Sequence, residues 1–210
     1  MTYAGVSLSL VGTVKTTGAR VEIWSLVAPT SGTNNLVVNL TNAGAGTNVG
    51  VMTFTGVNQA AALGTFGSTF GTGTTGSTTL SSGQDELMFG VAAVRATDQN
   101  LAPGTGQTEV WDLFTGTDAN GGGSIKAGAV SSAMAWSWAN SANFAIGGVS
   151  IKPHIDTAIW MSVKTAATTF ASTGGITFSN AEIGQISDPN LAIGSGTSNG
   201  TFSSFWNVDN

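Results

Sequence analysis

The stretch SWANSANFAIGGVSIKP, residues 137–153, decides how this chain is read. Aromatic residues lead into a polar segment, Asn140 to Asn143, and an apolar run then closes on Lys152 and Pro153. The pattern predicts a hairpin: a strand over 131–138, a polar turn, and a strand over 144–151. In the first strand Met134, Trp136 and Trp138 occupy one face, and small residues occupy the other. The pattern also reads as the end of a unit, although the chain continues to Asn210.

Working back from this hairpin, the same grammar recurs. Glu86 to Ala96, ELMFGVAAVRA, is almost wholly apolar and reads as a central strand. Thr108 to Phe114 and Ile125 to Ala129 read as two more strands. Towards the N-terminus, Val6, Leu8 and Leu10 alternate with serines, and Arg20 to Val27, Leu36 to Leu40 and Val49 to Val57 complete the set. Met52 and Phe54 fall on one side of the last of these. Asn58 to Thr79 is rich in Gly and Thr and reads as one long irregular loop, pinned by Phe66 and Phe70. No segment has helical periodicity. Short strands with Gly-rich turns indicate an all-β, antiparallel β-sandwich of jelly-roll-like form.

Composition narrows the function classes. Only 8% of the residues are charged, against about 25% in ordinary soluble domains. The net charge is −5, and the six basic residues are scattered. No basic cluster exists to neutralise a phosphate backbone, so nucleic acid is not an expected partner. No basic amphipathic face or long apolar run suggests a membrane. The chain lacks cysteine, which removes disulfides and thiolate metal sites. The first residues, MTYAGVSLSLVG, have neither the charged start nor the unbroken apolar run of a signal peptide.

After Pro153 the texture changes. Ile155 to Val163 reads as one strand, followed by short apolar clusters separated by Ser, Thr, Gly and Asn. Those clusters are too sparse for a second core. The expected organisation is therefore a β-sandwich over 1–153 and a C-terminal arm over 154–210 that packs on a neighbour or on its own sandwich. Ile155, Ile159, Trp160, Phe202, Phe205 and Trp206 are the expected contact residues of that arm.

Several stretches resemble a concanavalin- or jelly-roll-like β-sandwich module found in bacterial surface proteins and phage virion structural proteins. They are TYAGVSLSLVG (2–12), VEIWSLVAPTSGTNNLVVNL (21–40), FTGVNQAAALGT (54–65) and FAIGGVSIKP (144–153). The resemblance implies a fold and brings no catalytic residues with it. It also implies one or two strands ahead of the TYxG piece, where this chain starts. An open edge there would leave backbone groups unpaired, and the C-terminal extension is the expected segment to fill it.

The residues that suggest chemistry each have a plainer explanation. His154 lies two residues from Asp156, but no G-x-S-x-G elbow supplies a nucleophile, and a surface histidine at a junction is the simpler account. Asp85 and Glu86 are adjacent, so on a strand they point to opposite faces. Asp98, Glu109 and Asp112 supply carboxylates of the kind a glycosidase holds across a cleft, though eleven acidic residues make such groupings common. Asp118-Ala-Asn-Gly-Gly opens like a calcium loop, but position twelve is Ala129 where a Glu is needed. Gly71-Thr-Gly-Thr-Thr-Gly76 matches a dinucleotide fingerprint without its following helix. Asn39 and Asn199 head glycosylation triplets of a kind frequent in Asn/Thr-rich chains. Among the six tryptophans, Trp111, Trp136 and Trp138 are candidates for stacking on a sugar, or else for a core row.

The expectation is a non-enzymatic phage virion structural protein, a capsid decoration or cement protein or a tail or fibre component. It needs no cofactor and acts by packing against itself, as a homo-oligomer such as a trimer, and against other virion proteins. The alternative is a carbohydrate-binding or adhesion module of a secreted or cell-surface bacterial protein, with glycans as partners.

Overall fold

The computed structural model describes residues 1–41, 46–154, 193–196 and 202–206. The chain divides into two compact units, Met1–Ile155 and Asp156–Asn210. Every element among the described residues is a strand, and every pairing is antiparallel.

The first unit is built on a six-stranded sheet. Its path is β6 (Gly67–Leu80), β11 (Ser132–Ile151), β7 (Leu87–Arg95), β10 (Ala119–Ala127) and β9 (Thr108–Thr115), with β8 (Ala102–Pro103) paired to β11. A separate hairpin joins β3 (Ser9–Thr16) to β4 (Ala19–Ser25). Three two-residue strands, β1 (Thr2–Tyr3), β2 (Val6–Ser7) and β5 (Leu36–Val37), form a small sheet with β1 in the centre. In the second unit, β12 (Ile193–Gly196) pairs with β13 (Phe202–Trp206).

The stretch at 137–153 is not a hairpin. It belongs to the twenty-residue strand β11, and its polar segment is a bend within that strand. Here β11 runs from Ser137 to Ala142 while its partner β6 runs only from Thr75 to Gly73. The surplus residues on one strand form an extended bulge, which bends the ribbon and increases its twist. The two limbs then face each other. Trp138 and Phe144, on opposite sides of the bend, have ring centroids 5.3 Å apart. Trp136 in the first limb reaches Gly122 in β10, where a Cβ would stand 2.9 Å from the indole. Asn140 and Asn143 look like turn residues because they supply polar groups at the bend, not because the chain reverses.

Both faces of the sheet are thereby covered. Ala92, Val94, Phe144 and Ile146 face the folded-over limb and pack with Leu101, Trp136, Trp138 and Ala142. On the opposite face Ala145 packs with Val14, Ala19 and Val21 of the β3–β4 hairpin, joined by Phe66, Val91 and Ala93. This explains why β7, expected from the sequence to be a central strand, is apolar without alternation: one of its faces is buried and the other is half-buried. A third cluster, Leu80, Met88 and Met134, closes the far end.

Two other expectations are corrected. The Gly/Thr-rich stretch read as a loop contains β6, a fourteen-residue strand. Its glycines admit large neighbours: Gly76 backs onto Phe144 and Ile146. Phe66 is packed in the core, whereas Phe70 is 61% exposed. The converse error is Val49 to Val57, which alternates like a strand yet joins no ladder beyond a single bridge from Val57 to Pro153.

Buried amides fix the segment between β7 and β9. Asn120 is 2% exposed; its Oδ1 accepts from the Gln99 backbone N–H at 2.8 Å. Its Nδ2 donates to the carbonyls of Val94 and Ala96 at 3.2 and 2.8 Å. Gln99 in turn accepts from the Asn140 N–H at 2.8 Å, at the bend of β11. Gln107 accepts from Ala135 N–H at 2.6 Å and donates to Ser124 Oγ at 2.9 Å.

Candidate interaction surface

The outer flank of the sheet is set by β9. Among the described residues, its free side pairs with no other strand. A register shift between Gly123 and Ser124 places Trp111 opposite Gly123 and Glu109 opposite Ser124, leaving Val110 as the bulged residue. Val110, Leu113 and Phe114 are all exposed. EVWDLF is an edge strand with apolar side chains on both faces, a pattern that alternation alone does not distinguish from a buried strand.

Residues 46–55 run along the same flank. Gly46 lies on Thr115 and Ala119, Asn48 on Gly121, and Gly50 on Trp111. The Asn48 Nδ2 donates to the carbonyls of Leu113 and Ala119, both at 3.2 Å, and its Oδ1 accepts from the Thr115 hydroxyl. Further along, Phe54 meets Phe89 and Phe89 meets Trp111, with centroids 6.4 and 5.9 Å apart. The segment is an extended strap on one face of the sheet. Its even-numbered residues turn inward, and Val49 and Val51 turn outward, the latter 61% exposed. Among the described residues, no backbone–backbone hydrogen bond ties 46–55 to another segment.

The acidic residues are arranged differently from a catalytic cleft. The β9 bulge puts Glu109 and Asp112 opposite Ser124 and Gly122, hence on one face, whereas plain alternation separates them. The Asp112 carboxylate accepts the Leu101 backbone N–H at 2.8 Å and so anchors a fully buried leucine. Burial, with the nearby Asp98 charge adding to it, raises the Asp112 carboxyl above the ordinary value of 3.8 against the opposing effect of the Leu101 bond. No group of three His, Cys, Asp or Glu side chains among the described residues stands close enough together to hold a metal ion. Asp118, the first residue of the calcium-like stretch, is paired with Arg95 at 2.8 Å, and Ala119 onward is β10. The G-x-G-x-x-G match lies inside β6. Glu86 precedes β7, its backbone bonded to Gly83 and Gly128, and its Oε2 is buried without a hydrogen-bond partner. The His154 N–H donates to the Gly56 carbonyl at 2.7 Å, while Asp156 lies outside the described residues.

Of the three tryptophans proposed for sugar stacking, Trp136 and Trp138 are buried and Trp111 is half-buried. Trp136 is 1% exposed and Trp138 6%. Trp138 also donates Nε1–H to the Gly73 carbonyl at 2.8 Å. The Trp111 indole is held between Gly50 of the strap and Gly123 of β10, where a Cβ on either would overlap the ring. Of the expected arm contacts, Ile155, Ile159 and Trp160 lie outside the described residues, and Phe202, Phe205 and Trp206 belong to β13, paired with β12. The exposed apolar residues of the flank, Val49, Val51, Val110, Leu113 and Phe114, were not anticipated. The signal available was the absence of charge around alternating valines.

Comparison with known proteins adds no relative: no protein-family model matches the chain, and neither curated protein sequences nor solved structures yield a similar protein.

Proposed function

We propose that this chain is a non-enzymatic structural protein of a phage virion, a capsid decoration or cement protein or a tail or fibre component. In this reading a jelly-roll-like β-sandwich is followed by an assembly arm, and the protein works by packing against copies of itself and against other virion proteins. The observation that carries the reading is the flank of β9 and the strap, where exposed Val49, Val51, Val110, Leu113 and Phe114 stand beside backbone without a backbone partner among the described residues. Exposed apolar groups of this kind are characteristic of interaction sites, and an unpaired strand edge is a template for another chain. Symmetric closure into a ring, such as a trimer, follows naturally from such contacts. Trp136 and Trp138 are buried and Trp111 is half-buried, which weighs against the carbohydrate-binding alternative.

The test is light scattering on a sizing column with the full chain, beside a full-length variant carrying Phe205→Ser and Trp206→Ser. A defined oligomer that the double substitution dissociates supports assembly through the arm. Peptides of the chain in gradient-purified particles from the culture that produces it support the virion location. A monomer at every concentration, with no chain in the particles, refutes the reading.

A further inference from the structure

Backbone hydrogen bonds divide the first unit unevenly. Within residues 1–41, β1 pairs with β2 and β5, and β3 pairs only with β4. The N–H groups of Ala4 and Leu8 donate to the carbonyls of Asn35 and Met1, both at 3.1 Å. Among the described residues, no backbone–backbone hydrogen bond runs between 1–41 and 46–153. A single side-chain bond crosses between them: Asn143 Nδ2 donates to the Thr17 carbonyl, at the tip of the β3–β4 hairpin, at 2.9 Å. Asn143 Oδ1 accepts from the Thr72 hydroxyl at 2.6 Å, which holds the amide in that orientation. Opposite Asn143 in the ladder stands Arg95. Its side chain, paired with Asp118 at 2.8 Å, lies against Gly18 of the same tip, where φ is +82° and a Cβ would overlap it.

We propose that residues 1–41 are a releasable cover, latched at Thr17 and Gly18, over the face of the sheet formed by β7 and β11. The rest of its attachment is apolar packing. Val14, Ala19 and Val21 meet Ala145, Val91 and Ala93, and the Phe66 ring lies between Gly12 of β3 and Gly147 of β11. Releasing the cover breaks one hydrogen bond and uncovers that contact, and every ladder of the six-stranded sheet stays intact. β7, β10 and β11 each have a ladder on both sides, so none of them leaves without breaking two rows of backbone bonds. Proteins open in cooperative units of unequal stability, and the unit with few ties to the remainder opens first. A hairpin on its own is at best marginally stable in water, so release also frees the β3–β4 amides for exchange. The opened face presents Val91, Ala93 and Ala145. This is a property of a single copy and does not depend on assembly.

Hydrogen exchange of the full-length chain, read by mass spectrometry in water and in low urea, tests the cover. Peptides within 9–25 should exchange at least about tenfold faster than those within 87–95 and 119–127, and their rates should rise with urea as one block, as release of a unit requires. Asn143→Ala should speed exchange in 9–25 by about fivefold, the loss of one ordinary hydrogen bond, with the fold retained by circular dichroism. Ile146→Val alters the cluster on the opposite face of the sheet. It should speed exchange in 87–95 and 119–127 by at least about threefold and leave 9–25 unchanged, because its packing is the same with the cover on or off. If 9–25 exchanges at the rate of the central strands and Ile146→Val accelerates all of them equally, the cover opens only with the whole unit and the proposal is wrong. Rates in 9–25 that are fast but insensitive to urea mean fraying of single residues and also overturn it. An unchanged rate in Asn143→Ala overturns the latch.

Discussion

Replacing Asn120 with Ala tests the claim that buried amides hold the 96–107 segment in place. The side chain is 2% exposed and makes three hydrogen bonds, to Gln99 N–H, Val94 C=O and Ala96 C=O. Alanine removes all three and brings no substitute. A buried donor or acceptor left without a partner costs about 1–3 kcal/mol. Gln99 N–H loses its acceptor outright, and the Ala96 carbonyl loses its short bond. Counting those two at the lower half of the range gives a loss of about 3 kcal/mol. For a chain of this size that corresponds to a fall in melting temperature of about 6–12 °C. Urea unfolding followed by tryptophan fluorescence measures it, because Trp136 and Trp138 share the cluster with Leu101, which this segment delivers. The slope of free energy against urea should be unchanged and the midpoint should move. Asn120→Asp should be worse at neutral pH and partly recover in acid. A carboxylate facing two carbonyls has its folded-state pKa raised, so its stabilising protonated form is lost as pH climbs. A loss below about 1 kcal/mol for Asn120→Ala would mean that the segment is held by Leu101 alone and that the amide network is incidental.

Two further outcomes follow from named contacts. The Asp112 carboxyl has its folded-state pKa raised by burial and by Asp98, so its contribution to stability is full below the unfolded value and is lost as pH rises through the folded one. Asp98→Asn should lessen that loss. Relative to the parent chain, the variant should lose less stability between pH 3 and pH 7, by under about 1 kcal/mol because the site is largely solvent-screened; urea midpoints across that range check it, and an unchanged pH profile counts against the pairing. Trp136→Ala should cost about 3–5 kcal/mol, the ordinary price of emptying a large aromatic site, whereas Phe70→Ser on exposed β6 should change stability by less than about 0.5 kcal/mol; equal effects in thermal unfolding would contradict the packing described for the bend.

How far the sequence revealed this fold depends on which physical signal each segment carries. β7 was legible because burial on both faces leaves an unbroken apolar run, and nothing else explains Leu87 to Val94 so well. β6 was not, because its neighbours do the packing: Gly71 and Gly76 make room for Phe144, so the hydrophobic content of the pair sits almost wholly on β11. A strand that contributes space rather than side chains looks like a loop when read alone. The strap shows the opposite ambiguity. Alternation from Thr47 to Thr55 reports which side chains turn towards the sheet, and that part of the reading holds for Met52 and Phe54. It does not report what the backbone bonds to. A side-chain period of two arises equally when an extended chain is laid over a sheet face and when it is hydrogen-bonded into one. The bend in β11 was misread for a related reason, since polar residues satisfy backbone groups at a bulge much as they do at a turn.

The same distinction governs the candidate surface. Trp136 and Trp138 attracted attention because aromatic residues carry large contact energies, but in a chain with so few charges the large aromatics are needed to fill the space between limbs. What remains for recognition is less conspicuous: valines at the strap, Val110, Leu113 and Phe114 on β9, and backbone that the fold leaves unpaired. Soluble proteins protect such edges with lysines, prolines or bulges. β9 has a bulge at Val110 and acidic residues at Glu109 and Asp112, so its edge is partly guarded. The strap has none of these devices between Thr47 and Thr53. By this physical criterion the unguarded strap is a more open template for another chain than the guarded β9 edge. Lysine at Val51 should therefore disrupt assembly far more than lysine at Leu113, although both side chains are exposed and apolar.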